Sequence, residues 1–389
     1  MPEMSLPKSP SSGLRIVALF TDVLPFGGVQ LAGRLTSRAL AEIAPAHGWT
    51  LELLSLNDPP GLHNIPGCAA DVHVRGYGRN KVRFVLAALR QAWSVQRGIV
   101  LAAHPHLAPP AAWMQGLRSS LRILVMAWGI EIWKPLTPSR RKALHTARLV
   151  TVPSSDTANR LTAVQGLDAS KVRRLPLPLP SDFPDMAQEP QSLPVPPQFP
   201  RGRIVLAVGR WVANERYKGA DELIRAIPKL RQSIPDVHLV AVGTGDDLPR
   251  LRAIAAELHI EDRVHFLENL TNQELAACYA HCDLFALPST GEGYGLVFLE
   301  AMAFAKPVVG VAAGGVTDIV RNAENGFLVP PGNSERLVQA LEELLLDDSL
   351  RVRLGRAGAE IVRRNYTFHA FRARLEQILL ECAAGAASS

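Results

Sequence analysis

Two glutamates stand eight positions apart in a stretch that is otherwise rich in glycine and apolar residues, STGEGYGLVFLEAMAFAKPVVG at residues 289–310. Glu292 lies among three glycines, and Glu300 lies in the apolar segment that follows. If that segment is a helix, the Glu300 side chain leans toward its N-terminus and the two carboxylates converge. Carboxylates accept hydrogen bonds from hydroxyl groups, and the free N–H groups at a helix start favour phosphate. The pattern therefore favours a site for a ligand such as a sugar nucleotide. The alternative is that Glu300 forms a cap or a salt bridge within the core.

Strand-like and helix-like segments alternate along the chain and must position these residues. The strands of the first half are LRIVALF, TLELLSL, GIVLAAH, RILVMAW and RLVTVPS, and those of the second are RIVLAVGR, VHLVAVG, VHFLEN, CDLFALPS and KPVVGVAA. This alternation is typical of α/β domains in which helices cover both faces of a parallel sheet. We therefore predict two Rossmann-like, doubly wound domains. Because ligands bind beyond the carboxyl ends of such strands, we expect the domains to face each other across a cleft.

A proline-rich segment divides the two halves. Residues 176–200 contain nine prolines, which neither a helix nor a central strand accepts. The predicted organisation is a flexible tail, a first domain, a linker, a second domain and a terminal segment, at residues 1–13, 14–180, 181–200, 201–365 and 366–389.

Composition is ordinary for a soluble globular protein, with 47% hydrophobic and 20% charged residues. The apolar runs are shorter than the roughly 20 residues of a membrane span, and the first thirteen residues lack the apolar segment of a secretory signal. The four cysteines form neither a CxxC motif nor a disulfide-like framework. These features predict a cytoplasmic protein.

Positive charge is concentrated in the first half. Residues 1–180 carry 21 Lys and Arg against 9 Asp and Glu, whereas the remainder carries 21 against 27. Such a field favours an anionic partner (a membrane surface, a phosphorylated lipid or nucleic acid) or serves solubility alone. The segment RGYGRNKVRFVLAALRQAW, Arg75–Trp93, mixes cations with periodic apolar residues, as an interfacial helix does. A core helix with a basic entry loop is the alternative.

The stretch GEGYGLVFLEAMAFAKPVV resembles the E-x7-E signature of retaining glycosyltransferases of the large family four, whose two-domain α/β architecture is called GT-B. The resemblance implies that Glu292 contacts the donor sugar near the reacting carbon and that Glu300 binds the ribose. It also implies a backbone approach to the diphosphate and the sugar by the residues between them, Gly293, Tyr294, Gly295 and Leu296.

Three further segments carry the resemblance. In GRWVANERYKG, Arg210 and Lys218 match the family's diphosphate ligands, and two such cations would stabilise a leaving nucleoside diphosphate without a metal. In PFGGVQ, Gly27 and Gly28 match a glycine pair whose N–H groups face the diphosphate or the acceptor. VHFLENL, with Leu267, resembles the segment that borders the base. The order of elements fits the family from about residue 14 to residue 380, and the final segment resembles a helix that packs back toward the first domain.

The sequence departs from the family on the acceptor side. Many members have an His-Gly pair after the strand LRILVMAW, where this chain has Trp128 and Gly129. His104 and His106 follow the preceding strand and are candidate replacements, although a structural role is favoured for His104. Glu131 lies nearby in sequence. A metal site is not expected, because no third and fourth ligand stands at a suitable spacing.

The resemblance implies a retaining, metal-independent hexosyltransferase that needs no cofactor beyond a UDP- or GDP-linked sugar donor. Its acceptor would be a saccharide or a polyprenyl-linked sugar in cell-surface polysaccharide or lipopolysaccharide synthesis. We expect no nucleic-acid partner, and we expect peripheral contact of the basic first domain with the inner face of the cytoplasmic membrane. Two alternatives stay open: a non-catalytic protein that retains the donor site, and a Rossmann oxidoreductase, against which the lack of GxGxxG after the first strands counts.

Overall fold

The computed structural model describes residues 13–25, 27–180 and 182–384. The predicted flexible tail lies outside these residues except for Gly13, and so does the end of the terminal segment beyond residue 384. No helix within the described ranges is both long and apolar enough to cross a membrane.

The chain divides into two compact units. The first contains residues up to Pro153, Thr157–Leu175 and the chain from Phe371 onward, and the second contains Ser154–Asp156 and Pro176–Ala370. Each unit is built on one sheet whose strands alternate with helices. The predicted α/β class with two parallel sheets is therefore confirmed.

The sheet of the first unit has eight strands in the order β3-β4-β2-β1-β5-β6-β7-β8. All neighbours pair in parallel except β3 and β4. The central strand β1 is almost continuously apolar and buried, as expected for a strand with helices on both faces. The elements are β1 Leu14–Phe20, α1 Gly28–Ala46, β2 Thr50–Ser55, β3 Gly61–Asn64, β4 His73–Gly76, α2 Lys81–Ser94, β5 Arg97–Ala102, α3 Ala108–Leu117, β6 Leu121–Met126, α4 Pro138–His145, β7 Leu149–Val152, α5 Ser155–Gln165 and β8 Val172–Arg174.

The sheet of the second unit has six strands, all parallel, in the order β11-β10-β9-β12-β13-β14. Strands β9 and β12 lie side by side at its centre, so the segments after them meet at one edge of the sheet. The elements are α6 Asp182–Met186, β9 Arg203–Val208, α7 Ala220–Leu230, β10 Val237–Val242, α8 Leu248–Glu257, β11 Val264–Leu267, α9 Asn272–His281, β12 Leu284–Leu287, α10 Leu296–Ala303, β13 Val308–Val311, α11 Val316–Ile319, β14 Gly326–Val329, α12 Ser334–Leu346 and α13 Asp348–Asn365. The helix that follows, α14 Phe368–Ala384, lies mostly in the first unit.

The last helix, α14, is held by residues of the first unit. Glu376 lies 2.6 Å from Nε2 of His47, and the Arg173 guanidinium donates to the Glu381 carboxylate. Arg97 also donates to the carbonyl oxygen of Ala383, at 3.3 Å. The C-terminal part of the chain thus belongs structurally to the unit in which the chain begins.

Candidate functional site

The loop between β12 and α10 carries Glu292 at the carboxyl edge of the second sheet. Gly295, with φ of 100°, precedes the first residue of α10 and takes a conformation that favours glycine. The amide of Gly291 faces the hydroxyl of Ser289 at 3.4 Å. Because α10 begins here, its free N–H groups lie beside this loop.

A second glycine pair, Gly314 and Gly315, packs directly against this loop. The amide of Gly315 donates to the carbonyl oxygen of Glu292 at 2.8 Å. A Cβ atom on Gly314 would lie 2.4 Å from the Glu292 carbonyl oxygen, and one on Gly315 would lie 2.4 Å from that of Gly293. Any side chain at either position would displace the loop, so these two glycines fix the backbone that carries Glu292.

Glu292 forms an ion pair with Lys218. Nζ of Lys218 donates to Oε1 of Glu292 at 2.9 Å, and the two side chains are only 13% and 15% exposed. Lys218 comes from the turn that follows β9, and Glu292 from the loop that follows β12, so the pairing of these two strands brings them together. Water screens such a sheltered pair less than an exposed one.

Glu215 extends this pair into a row of alternating charges. Its carboxylate accepts a hydrogen bond from Arg210 and lies 3.7 Å from Nζ of Lys218. Its side chain is 11% exposed, whereas that of Arg210 is 74% exposed. Sequence reasoning missed Glu215, although its place three residues before Lys218 in the segment after a strand was a usable signal.

Tyr217 packs against the same loop. Its carbonyl oxygen accepts from the amide of Thr290 at 2.9 Å, and a Cβ atom on Gly291 would lie 2.7 Å from its ring. Burial, together with the nearby carboxylates of Glu215 and Glu292, raises the pKa of the Tyr217 hydroxyl to about 12. The glycine at position 291 thus allows the loop to pack closely against Tyr217, whose hydroxyl stays protonated.

Glu300 lies on α10 and accepts a hydrogen bond from Tyr279. The Tyr279 hydroxyl on α9 donates to Oε2 of Glu300 at 2.7 Å. Tyr279 is fully buried, its ring is parallel to that of Phe304 and it packs against Phe285. Burial, and then the Glu300 charge, hold the pKa of Tyr279 well above its usual value. The acid in the apolar helix therefore has a dedicated partner, which sequence reasoning did not identify.

The remaining donor-side candidates lie at the same edge of the second sheet. Tyr294 is buried, and its hydroxyl donates to the carbonyl oxygen of Leu177 at 2.7 Å. Leu296 is the first residue of α10. Leu267 ends β11, with a buried side chain and a carbonyl oxygen that accepts from the amide of Gly243. The loop glycines Gly293 and Gly295 flank Tyr294.

The candidates of the first unit lie at the ends of β1, β5 and β6. Gly27 precedes α1 with φ of 148°, and Gly28 is its first residue. The amide of Trp128 donates to Oε1 of Glu131 at 2.5 Å, and its indole N–H donates to the carbonyl oxygen of Ala103 at 2.8 Å. Glu131 thus supports the turn that holds Trp128.

His104 has the structural role favoured from sequence, because its Nδ1 accepts from the amide of His106 at 3.1 Å and caps a short 3-10 turn. Burial, and then the Arg140 charge, lower the pKa of His104 to about 4. His106 is exposed, and its ring meets that of His104 edge to face. Within the described ranges, no group of three or more His, Cys, Asp or Glu is placed to hold a metal ion.

Comparison with known proteins bears on both units. The model of the family described as glycosyl transferases group 1 matches residues 192–361. The GDP-mannose-dependent alpha-(1-6)-phosphatidylinositol monomannoside mannosyltransferase of Mycobacterium tuberculosis is 31% identical over 288 residues, which are 70% of this chain and 72% of that protein. The D-inositol 3-phosphate glycosyltransferase of Salinispora tropica is 40% identical over 177 residues, 43% of this chain and 36% of that one.

Among solved structures, HepE of Anabaena in complex with UDP shares the fold. The TM-score is 0.69 at 19% sequence identity, and the match covers 94% of this chain and 100% of that one. The shared fold extends over both units of the chain, whereas the family match lies within the second.

Proposed function

The chain belongs to the glycosyl transferases group 1 family, and from this premise we propose that it transfers a hexose from a UDP- or GDP-linked sugar to a saccharide or lipid-linked acceptor, with retention of configuration. The chain is a glycosyltransferase of the GT-B fold. The related mannosyltransferase is named for GDP-mannose, and the structural relative was solved with UDP. Both names support a nucleotide sugar as donor.

The observation that carries the proposal is the Lys218–Glu292 ion pair at the start of α10. When a nucleotide sugar binds, the ammonium group of Lys218 would contact the diphosphate and the Glu292 carboxylate would contact the sugar. Arg210 would likewise exchange its contact with Glu215 for one with the diphosphate. Negative charge develops on the diphosphate as the glycosidic bond breaks, and cations held beside it lower the barrier.

The ribose would lie against Glu300. Its carboxylate accepts a hydrogen bond from a buried tyrosine, and carboxylates are good acceptors for vicinal hydroxyl groups. Because Tyr279 is fixed by aromatic neighbours, the carboxylate is held in one orientation before the nucleotide arrives. The base would lie near Leu267, and the diphosphate near the backbone of residues 293–296. Gly27 and Gly28 stay predicted contacts of the diphosphate or the acceptor.

Retention is best explained by transfer on one face of the sugar. The leaving phosphate oxygen accepts the acceptor's proton while an oxocarbenium-like sugar is stabilised by the charges around it. A double displacement with Glu292 as nucleophile is possible in principle, and we rank it below transfer on one face of the sugar.

The acceptor would contact the first unit around His106, Trp128 and Glu131. Trp128 stands where many family members have histidine, and its indole N–H already donates to the backbone. Its ring would then serve as an apolar surface for the acceptor rather than as a base. His106 is the exposed imidazole of this region.

The setting of the reaction is part of the proposal. A polyprenyl- or lipid-linked saccharide of cell-surface polysaccharide or lipopolysaccharide synthesis would be met by peripheral contact at the inner face of the cytoplasmic membrane. The excess of Lys and Arg in residues 1–180 supports such contact. The name of the mycobacterial relative, which includes a phosphatidylinositol acceptor, supports a lipid-linked substrate.

A panel of UDP- and GDP-hexoses tests the proposal. The protein is incubated with each donor, and release of the nucleoside diphosphate is followed by mass spectrometry with and without a saccharide acceptor. We expect slow hydrolysis of one donor alone and faster release with a suitable acceptor. The second candidate, a non-catalytic donor-binding protein, is favoured by the loss of the family histidine at Trp128. Tight donor binding without any release of nucleotide would establish it.

A further inference from the structure

Helix α2 is apolar on two different faces. Phe84 and Ala88 are buried in the core of the first unit. Val82, Leu86 and Trp93 lie on another face and are 69%, 61% and 74% exposed. Because residues four and seven positions apart lie above one another on a helix, these three side chains form one ridge.

Helix α3 extends the ridge. It packs against α2, and Trp113 and Leu117, four residues apart, are 55% and 49% exposed. Arg118, which follows α3, donates to the carbonyl oxygen of Trp93 at 3.3 Å and so joins the ends of the two helices. We call this ridge the α2–α3 surface, with the members Val82, Leu86, Trp93, Trp113 and Leu117.

The chain segment that carries the α2–α3 surface has one sign of charge. Seven Lys and Arg and no Asp or Glu occur from Arg75 to Arg118. Six of the seven are exposed, and among the residues that the structure describes none of the six pairs with a carboxylate. They are Arg75, Arg79, Lys81, Arg83, Arg90 and Arg118.

A recess at the start of α2 adds a place for a phosphate group. Its volume is about 350 Å³, and its lining includes the guanidinium-bearing Arg75 and Arg83, together with Gly78 and Asn80. Asn80 caps α2 by accepting from the amide of Arg83 at 3.0 Å. Guanidinium groups bind phosphate oxygens with matching geometry, and the positive end of the helix lies beside them.

We infer that the α2–α3 surface docks on a bilayer that contains anionic phospholipids. The two tryptophans would lie at the level of the headgroups, and the aliphatic members Val82, Leu86 and Leu117 would lie at the boundary with the acyl chains. The cations would face the headgroup phosphates. An acidic protein is the weaker occupant, because protein interfaces pair patches of both signs around an apolar centre. The inference rests on the proposed function, in which a lipid-linked acceptor explains why the enzyme would work at a membrane.

Vesicle flotation of the full chain tests this surface. Vesicles of phosphatidylcholine alone are compared with vesicles of equal parts phosphatidylcholine and phosphatidylglycerol at low salt. We expect the wild type to float with the second and much less with the first. The double variant Trp93→Ser, Trp113→Ser and the double variant Lys81→Gln, Arg83→Gln should each weaken binding by about tenfold or more. Both change exposed side chains, and thermal unfolding checks that they fold.

Matched controls lie in the second unit. Leu346→Ser removes an exposed apolar side chain of α12, and Arg353→Gln removes an exposed cation of α13. Neither should change flotation. Unchanged flotation of both double variants, or equal binding to the two kinds of vesicle, would overturn the inference. Self-association or binding to an acidic protein that is lost in the tryptophan variant, without any vesicle binding, would assign the surface to that partner instead.

Catalysis separates this inference from the proposed function. Release of nucleotide in the presence of a water-soluble saccharide acceptor should be the same in the surface variants as in the wild type. Glu292→Gln should lose this release but still float. If the wild type floats yet releases no nucleotide from any donor, the proposed function fails while the surface stands.

Discussion

The hydroxyl of Tyr279 donates a 2.7 Å hydrogen bond to Oε2 of Glu300, and Tyr279 is itself fully buried. Tyr279 lies on α9, the helix before β12 in the chain, and Glu300 lies on α10, the helix after it. The tyrosine therefore connects the aromatic packing of the second unit to the carboxylate that we assign to the ribose.

Tyr279→Phe should weaken binding of the donor nucleotide by about tenfold, since a hydrogen bond to a charged group contributes about 1.5–3 kcal/mol and part of it positions Glu300. The turnover number should change little. Isothermal titration with the nucleoside diphosphate and with its 2′,3′-dideoxy analogue measures the effect. The loss should appear with the ribose form and largely disappear with the analogue. Tyr366→Phe, which removes another hydroxyl of the second unit, is the control, and an equal loss for both nucleotides would contradict a role at the ribose.

Lys218→Ala and Glu292→Ala should each lower the turnover number by about a hundredfold or more, because each removes a charge placed at the reacting groups. The thermal midpoint of unfolding should fall only by a few degrees, because the partner that remains keeps some exposure to water and is not left as a fully buried charge. Steady-state kinetics and differential scanning calorimetry measure the two effects. Lys229→Ala, an exposed lysine on α7, should leave both unchanged. Turnover like that of the wild type in the two site variants would refute the assignment.

Glu215→Gln should tighten binding of a nucleoside diphosphate by several-fold at low salt. The carboxylate is the counter-ion that Arg210 and Lys218 must leave when phosphate binds, and the amide keeps its shape without its charge. The salt dependence of the dissociation constant should steepen, because the site becomes more positive. Glu257→Gln, at an exposed position of α8, is the control. Weaker binding in Glu215→Gln would mean that the carboxylate mainly orders the cations.

Stability should fall with decreasing pH through the titration of His104. Burial and Arg140 lower its pKa in the folded state to about 4, whereas an unfolded histidine has a pKa of about 6.5. Between these values the unfolded chain binds more protons, so the free energy of unfolding rises with pH over this window and is unaffected by His104 above it. Urea titrations at several pH values measure the slope.

His104→Asn should flatten this dependence, because asparagine retains a side-chain acceptor for the amide of His106 but does not titrate. The variant His369→Asn changes an exposed histidine of α14 and should leave the slope as it is. A slope that is the same in His104→Asn and in the wild type would assign the pH dependence to other groups.

The sequence predicted the two parallel sheets and the segment from β12 to α10 because runs of apolar residues, and the glycines that mark turns between them, can be read within short stretches of the chain. Glu292 and Lys218 were predicted as site residues because each lies in the segment that follows a strand of one sheet and matches the family pattern, and their roles stay predictions. Tyr279 was missed because the sequence alone does not distinguish a tyrosine that donates a hydrogen bond to a carboxylate from a tyrosine that only packs in the core. The outer ridge of α2 was ambiguous because periodicity alone does not tell which apolar face meets the core.

The backbone contact of Gly314 and Gly315 with residues 292–293 has a consequence for engineering. The two loops share one surface with no room for a methyl group, so neither accepts a new residue or a changed length by itself. Exchange of sugar specificity between relatives by grafting would have to move residues 288–295 and 312–316 together, as a single cassette.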